Sequence, residues 1–149
     1  MITSVDPRQL QQIAADVNQL TKPIHVAVGQ RVVTHPPLLD QLRDAITPGA
    51  VHYGPQRHTP PSSRPAANLA ALDALATIYV EVAGWHARQN MPSPPRDTDW
   101  QKTALRQLVG LAPILAPAIA DWLAADVNTW WRLAGVHTGW RTQELLRVR

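Results

Sequence analysis

The sequence of 149 residues contains no cysteine. That excludes disulfide frameworks, zinc–thiolate sites, thiol nucleophiles and cysteine-held iron–sulfur clusters within this chain. No apolar run approaches the ~20 residues that a membrane-spanning helix needs. The first residues, Met1-Ile2-Thr3-Ser4-Val5-Asp6-Pro7, supply neither a basic stretch nor an apolar one, so no secretory leader is expected, and synthesis and use inside a cell are. Glycine-rich phosphate loops, nucleophile elbows and clustered acidic pairs with an acid/base partner are also missing. Charge excess is absent from most of the chain: residues 1–131 carry ten Lys/Arg and ten Asp/Glu, and the whole net charge of +3 lies beyond them. There Arg132, Arg141, Arg147 and Arg149 face only Glu144. The pI of about 10 therefore describes a basic tail rather than a basic protein.

What is present is a globular composition, 45% hydrophobic and 17% charged, at a length suited to one domain with a real core. Asp6-Pro7 is a helix start, because Asp accepts from first-turn amides and Pro is favoured at the first helical position. Leu10, Ile13, Ala14, Val17 and Leu20 then form one apolar stripe over residues 7–20. After Lys22-Pro23 the period changes to two. Ile24, Val26 and Val28 alternate, Gly29-Gln30 makes a turn, and Arg31-Val32-Val33-Thr34 returns, which predicts a β-hairpin with Gly29 in the positive φ of a type II′ turn. In that register Val26 faces Val33 and Ile24 faces His35. Its apolar face must rest on helices, since an isolated hairpin is marginal in water.

Pro36-Pro37 introduces a short second helix lined by Leu38, Leu39, Leu42, Ala45 and Ile46, closed by Thr47-Pro48-Gly49. Residues 50–65 hold four prolines and little apolar content and are expected to be a connector or an arm. A third helix over residues 66–89 carries Leu69, Leu72, Leu75, Ala76, Tyr79, Val82, Ala83 and His86 as its core stripe. A fourth, capped by Asp97 or Asp99, carries Trp100, Ala104, Leu108 and Leu111. Pro113 and Pro117 predict a kink or a new helix near Pro117. That fifth helix presents Ile119, Trp122, Leu123, Asp126, Trp130 and Leu133 and ends at residues 135–139. Residues 142–148 suit a short basic helical tail. The expected fold is mainly α, about five helices with one small hairpin, in which residues 1–49, a connector at 50–65 and a helical body at 66–149 together make one folded domain.

None of the six histidines has helical i,i+4 spacing to another with a carboxylate nearby, so no metal site is expected. His25 and His35 fall on opposite hairpin faces. Glu81 and His86 share a helix but point apart. Five of six tryptophans follow residue 99. Trp130 and Trp131 are consecutive, and successive helical side chains diverge by about 100°, so both cannot enter one face. Either the second ring covers a neighbouring helix of the same domain, or it anchors a partner, for which Trp and Arg are enriched. Trp131-Arg132 and Trp140-Arg141 repeat an aromatic–cation couple, suited to stacking and phosphate neutralisation or to an internal cation–π contact. Residues 134–145 have a loose helix-turn-helix appearance.

The succession Leu20-Thr21-Lys22-Pro23, hairpin, Pro37-Leu38-Leu39-Asp40-Gln41-Leu42-Arg43-Asp44-Ala45-Ile46, Pro48-Gly49-Ala50, polar connector, and Leu72-Asp73-Ala74-Leu75 through Trp85 resembles a group of uncharacterised proteins from phages of actinobacteria. Relatives of this kind continue into a cysteine-rich segment like a zinc ribbon, which this sequence lacks. The resemblance implies phage origin, a place in the bacterial host cytoplasm or the virion, and no enzymatic activity. It supplies no catalytic residue and no cofactor. The combined expectation is a non-enzymatic binding protein that meets a host or phage protein, or nucleic acid, through Trp131, Arg132, Trp140, Arg141, Arg147 and Arg149. The alternative is a virion or head-to-tail assembly subunit, as a homo-oligomer.

Overall fold

A computed structural model describes residues 4–46, 64–97 and 99–138. Helix α1 spans Pro7–Thr21, and the Asp6 carboxylate accepts from the Arg8 amide at 2.9 Å as its N-cap. Strands β1 (Ile24–Val28) and β2 (Arg31–His35) pair antiparallel, with Val26 opposite Val33 and Ile24 opposite His35. Gly29 sits at φ 64° in the turn, a conformation that costs a residue without Cβ nothing. Helix α2 (Leu38–Ile46) buries Leu38, Leu39 and Leu42. Helix α3 (Arg64–Arg88) is the longest, and helix α4 (Trp100–Leu111) runs through a 3₁₀ turn at Ala112–Ile114 into helix α5, Pro117–His137. The new helix thus starts at Pro117, where the missing amide is one that no helical carbonyl would bind. The described residues form a mainly α fold with a minor β part.

Helix α5 is the central element. It is flanked by α1 on one side and α3 on the other, and three hydrogen bonds fix its pairing with α1. Gln9 Nε2 donates to Asp121 Oδ1, Asn128 Nδ2 to Asp16 Oδ2, and Trp131 Nε1 to Gln19 Oε1. The partners are 112 residues apart in all three, so the two helices run parallel and in step. Helix α3 lies antiparallel: Trp85 Nε1 donates to Asp126 Oδ2 at 2.8 Å and Trp130 Nε1 to Glu81 Oε1 at 2.7 Å. One contiguous core reaches from Val5 to Ala134 and draws on all five described helices and Ile24.

Several expectations are corrected. The connector's last two positions, Arg64 and Pro65, already belong to α3; the rest of the sixteen-residue stretch and the tail at 142–148 lie outside the described residues. The core line of α3 is Ala71, Ala74, Ile78, Val82 and Trp85, while Leu69 and Leu72 point outward, 61% and 47% exposed. The hairpin rests on the helices only through Ile24 and, in part, Val26; Val28, Val32 and Val33 are exposed. Helix α3 ends on Asn90 at φ 54°, with Met91 N donating to His86 O and Asn90 N to Ala87 O, the paired bonds of a Schellman cap.

Candidate functional site

The structure distributes the tryptophans differently from the sequence expectation. Trp130 and Trp131 are both buried, at 0% and 4% exposure. Diverging by about 100°, they enter the α3 and α1 interfaces respectively, which is possible because α5 has a helix on each side. Trp131 therefore covers a neighbouring helix of its own chain and presents no free ring. Arg132 is exposed, its Nε donating to Asn128 Oδ1 at 2.9 Å. Trp140, Arg141, Arg147 and Arg149 lie outside the described residues.

Among the described residues the exposed indole is instead that of Trp122, expected on the core stripe and found 52% exposed. Its ring meets that of buried Trp85 at 5.2 Å between centroids and 59° between planes. The Arg88 guanidinium lies 5.0 Å from the Trp122 centroid and 5.2 Å from that of Trp85, within cation–π range of both faces. Gly84 makes room for this: a Cβ there would stand 3.3 Å from Arg88 Nη1. Arg88 is exposed and makes no ion pair among the described residues. The cluster thus joins a planar cation and a half-open aromatic surface, held on a rigid base by the Trp85–Asp126 bond.

A sequence signal for this cluster existed. Glu81 and Trp85 on α3, and Asp126 and Trp130 on α5, are the same acid-to-tryptophan spacing of four residues. Laid antiparallel, each indole meets the other helix's carboxylate. That fixes Trp130 inward and leaves Trp122, eight residues earlier, at the edge of the interface.

The other polar groups are committed to structure. Buried His86 faces Val82 O at 3.2 Å through Nδ1 and the Gln107 side-chain amide at 2.8 Å through Nε2. Arg106 Nη2 donates to Thr21 O at the carboxyl end of α1, and Lys102 Nζ lies 2.7 Å from Asp40 Oδ1. His25 bonds Thr34 across the hairpin at 3.0 Å and borders a shallow depression with Asn18, Gln19, Lys22, Pro23 and Ile24. No group of three His, Asp or Glu among the described residues is placed to hold a metal ion. No helix among them is long and apolar enough to cross a membrane.

Residues 7–136 match the family model described as "Domain of unknown function (DUF7341)". The match runs from the first residue of α1 to the last turn of α5, the whole of the packed helical body. No curated protein and no solved structure matches the chain.

Proposed function

We propose, for a chain that belongs to the DUF7341 family, a non-enzymatic role in which it binds a protein partner through the Trp122–Arg88 cluster. One observation carries the reading: a half-exposed tryptophan on a rigid base, with a guanidinium across its ring that makes no ion pair among the described residues. Trp and Arg are the residue types that most often supply the energy at the centre of an interface. A partner that covers the ring and brings an acidic group to Arg88 gains both apolar burial and a charge-assisted bond. Support for protein over nucleic acid comes from charge. Residues 1–131 are neutral, so the body offers no electrostatic funnel for phosphates.

The likeness to actinobacteriophage proteins favours a phage-encoded protein acting in the host cytoplasm, or in the virion as an assembly subunit. The arginines at 141, 147 and 149 then act as a secondary, salt-sensitive contact. The test is affinity capture of the tagged protein from infected cells, with and without nuclease. Recovery of a defined protein that survives nuclease, and that Trp122→Ala and Arg88→Ala each reduce at least about tenfold, supports the reading. Recovery unchanged by both substitutions overturns it. Recovery that depends on nucleic acid and on Arg141, Arg147 and Arg149 would move the contact to the tail.

A further inference from the structure

We propose that the free edge of β1 receives an extended acidic segment of a partner protein, which adds to the hairpin as a third strand. Val28 and Arg31 flank a two-residue turn and form a hydrogen-bonded pair, and by alternation so do Val26 with Val33 and Ile24 with His35. The backbone amides and carbonyls of His25 and Ala27 therefore point away from β2. Both residues are exposed, and no backbone bond among the described residues reaches those groups. The sheet they belong to has β1 and β2 as its strands and rests on the helices only through Ile24 and part of Val26. A hairpin so lightly supported is marginal, and a third strand is what such a sheet lacks. Lysine or proline ordinarily guards an edge of this kind; β1, Ile-His-Val-Ala-Val, holds neither.

A second observation gives the occupant its charge. The depression lined by Asn18, Gln19, Lys22, Pro23, Ile24 and His25 takes no residue from β2, so it opens beside the free edge. Its lining is rich in donors and holds no carboxylate. Lys22 makes no ion pair among the described residues, and Gln19, whose Oε1 accepts from Trp131, keeps its amide hydrogens. From residue 17 to residue 39 the sequence has no Asp or Glu but carries Lys22 and Arg31. The hairpin end is thus a basic region of a body that is neutral as a whole. An acidic side chain on the added strand, at the end nearest α1, places its carboxylate beside Lys22 and the two carboxamides, while main-chain bonds to His25 and Ala27 hold the strand.

The edge fits a peptide rather than a nucleic acid, because it alternates N–H donors with C=O acceptors and a phosphate backbone can use only the donors. Lys22 before β1 and Arg31 beyond the turn are also too few and too far apart to hold a chain of phosphates. The segment comes from another protein, since the parts of this chain outside the described residues contain one acidic residue, Glu144, in company with Arg141, Arg147 and Arg149. Neither Trp122 nor Arg88 belongs to this edge, so the inference stands apart from the contact proposed above.

The test is a titration of the nitrogen-15-labelled full chain with a short blocked peptide of alternating glutamate and valine, followed by nuclear magnetic resonance. The backbone amides of His25 and Ala27 and the side-chain amides of Asn18 and Gln19 should shift, and hydrogen exchange at the two backbone amides should slow. Lys22→Glu, an exposed change, should weaken the response at least about tenfold and turn the preference toward a peptide of alternating lysine and valine. Ala27→Pro removes an edge donor without removing a bond of the hairpin and should abolish binding. The same peptide with methylated backbone nitrogens should fail on the unaltered protein, which tests the strand pairing without any change to the fold. Trp122→Ala should leave the response intact. No shift at up to about 5 mM peptide overturns the proposal, as does an equal response to the lysine peptide. Shifts at these amides with oligothymidylate but not with the glutamate peptide would give the edge to nucleic acid and overturn it as well.

Discussion

Trp122 and Trp131 carry the same side chain on the same helix, nine positions apart, and the structure gives them opposite surroundings. Trp131 is 4% exposed and bonded to Gln19, whereas Trp122 is 52% exposed. Trp131→Ala is therefore expected to cost about 3–5 kcal/mol, a large-to-small change in a packed core, and Trp122→Ala less than about 1 kcal/mol, as a surface change. Urea unfolding of the two variants checks this order, and equal losses would contradict the placement of α5 between two helices. A second residue-scale expectation concerns Glu81. It accepts the indole hydrogen of Trp130, which is fully buried. Glu81→Ala leaves that donor without its partner and should lower stability by about 1–3 kcal/mol. A loss within experimental error would mean that water replaces the carboxylate.

At the scale of elements, the sequence was most informative where a period or a special backbone residue speaks locally. The hairpin register followed from alternation at Ile24, Val26 and Val28 and from Gly29, and the start of α5 from Pro117. The phase of α3 was not legible in the same way. That helix is apolar nearly all round, and leucines at 69, 72 and 75 draw the stripe toward themselves although Ala71 and Ala74 are the residues inside. Which face of such a helix is buried depends on how many neighbours it has, and periodicity carries no count of neighbours. The same reason misplaced Trp122. Its site was not legible from one segment because Arg88 and Trp122 belong to different helices. The helix ends make a direct test of local strain. Asn90 holds a left-handed conformation at the cap of α3, so Asn90→Gly should raise stability by roughly 0.5 kcal/mol and Asn90→Ala lower it by about 1 kcal/mol. Thermal melts that ranked alanine above asparagine would contradict the cap.

The whole molecule is held together by contacts between the two ends of the chain. Helices α1 and α5 run parallel with partners 112 residues apart, and their seam is polar. Gln12 Nε2 donates to Asp16 Oδ1 and Asn128 to Asp16 Oδ2, while Asn128 in turn receives Arg132. A one-residue slip would part Gln9 from Asp121, Asp16 from Asn128 and Gln19 from Trp131, so the seam sets register while the apolar residues beside it, Ile13, Val17, Leu123 and Val127, supply burial. The core takes residues from both sides of the proline-rich stretch, from Val5 to Leu42 and from Ala71 to Ala134. The consequence is cooperative. A fragment comprising residues 64–138 would expose Trp131 where α1 lay and leave Asn128 without Asp16. It should show no sigmoidal unfolding and no near-ultraviolet tryptophan signal. The full chain should unfold in one transition, coincident by tryptophan fluorescence and far-ultraviolet circular dichroism. A fragment that melted cooperatively on its own would show that the α3–α5 pair, with its two reciprocal tryptophan–carboxylate bonds, is sufficient as a core. The α1 seam would then serve to dock the N-terminal segment rather than to complete the fold.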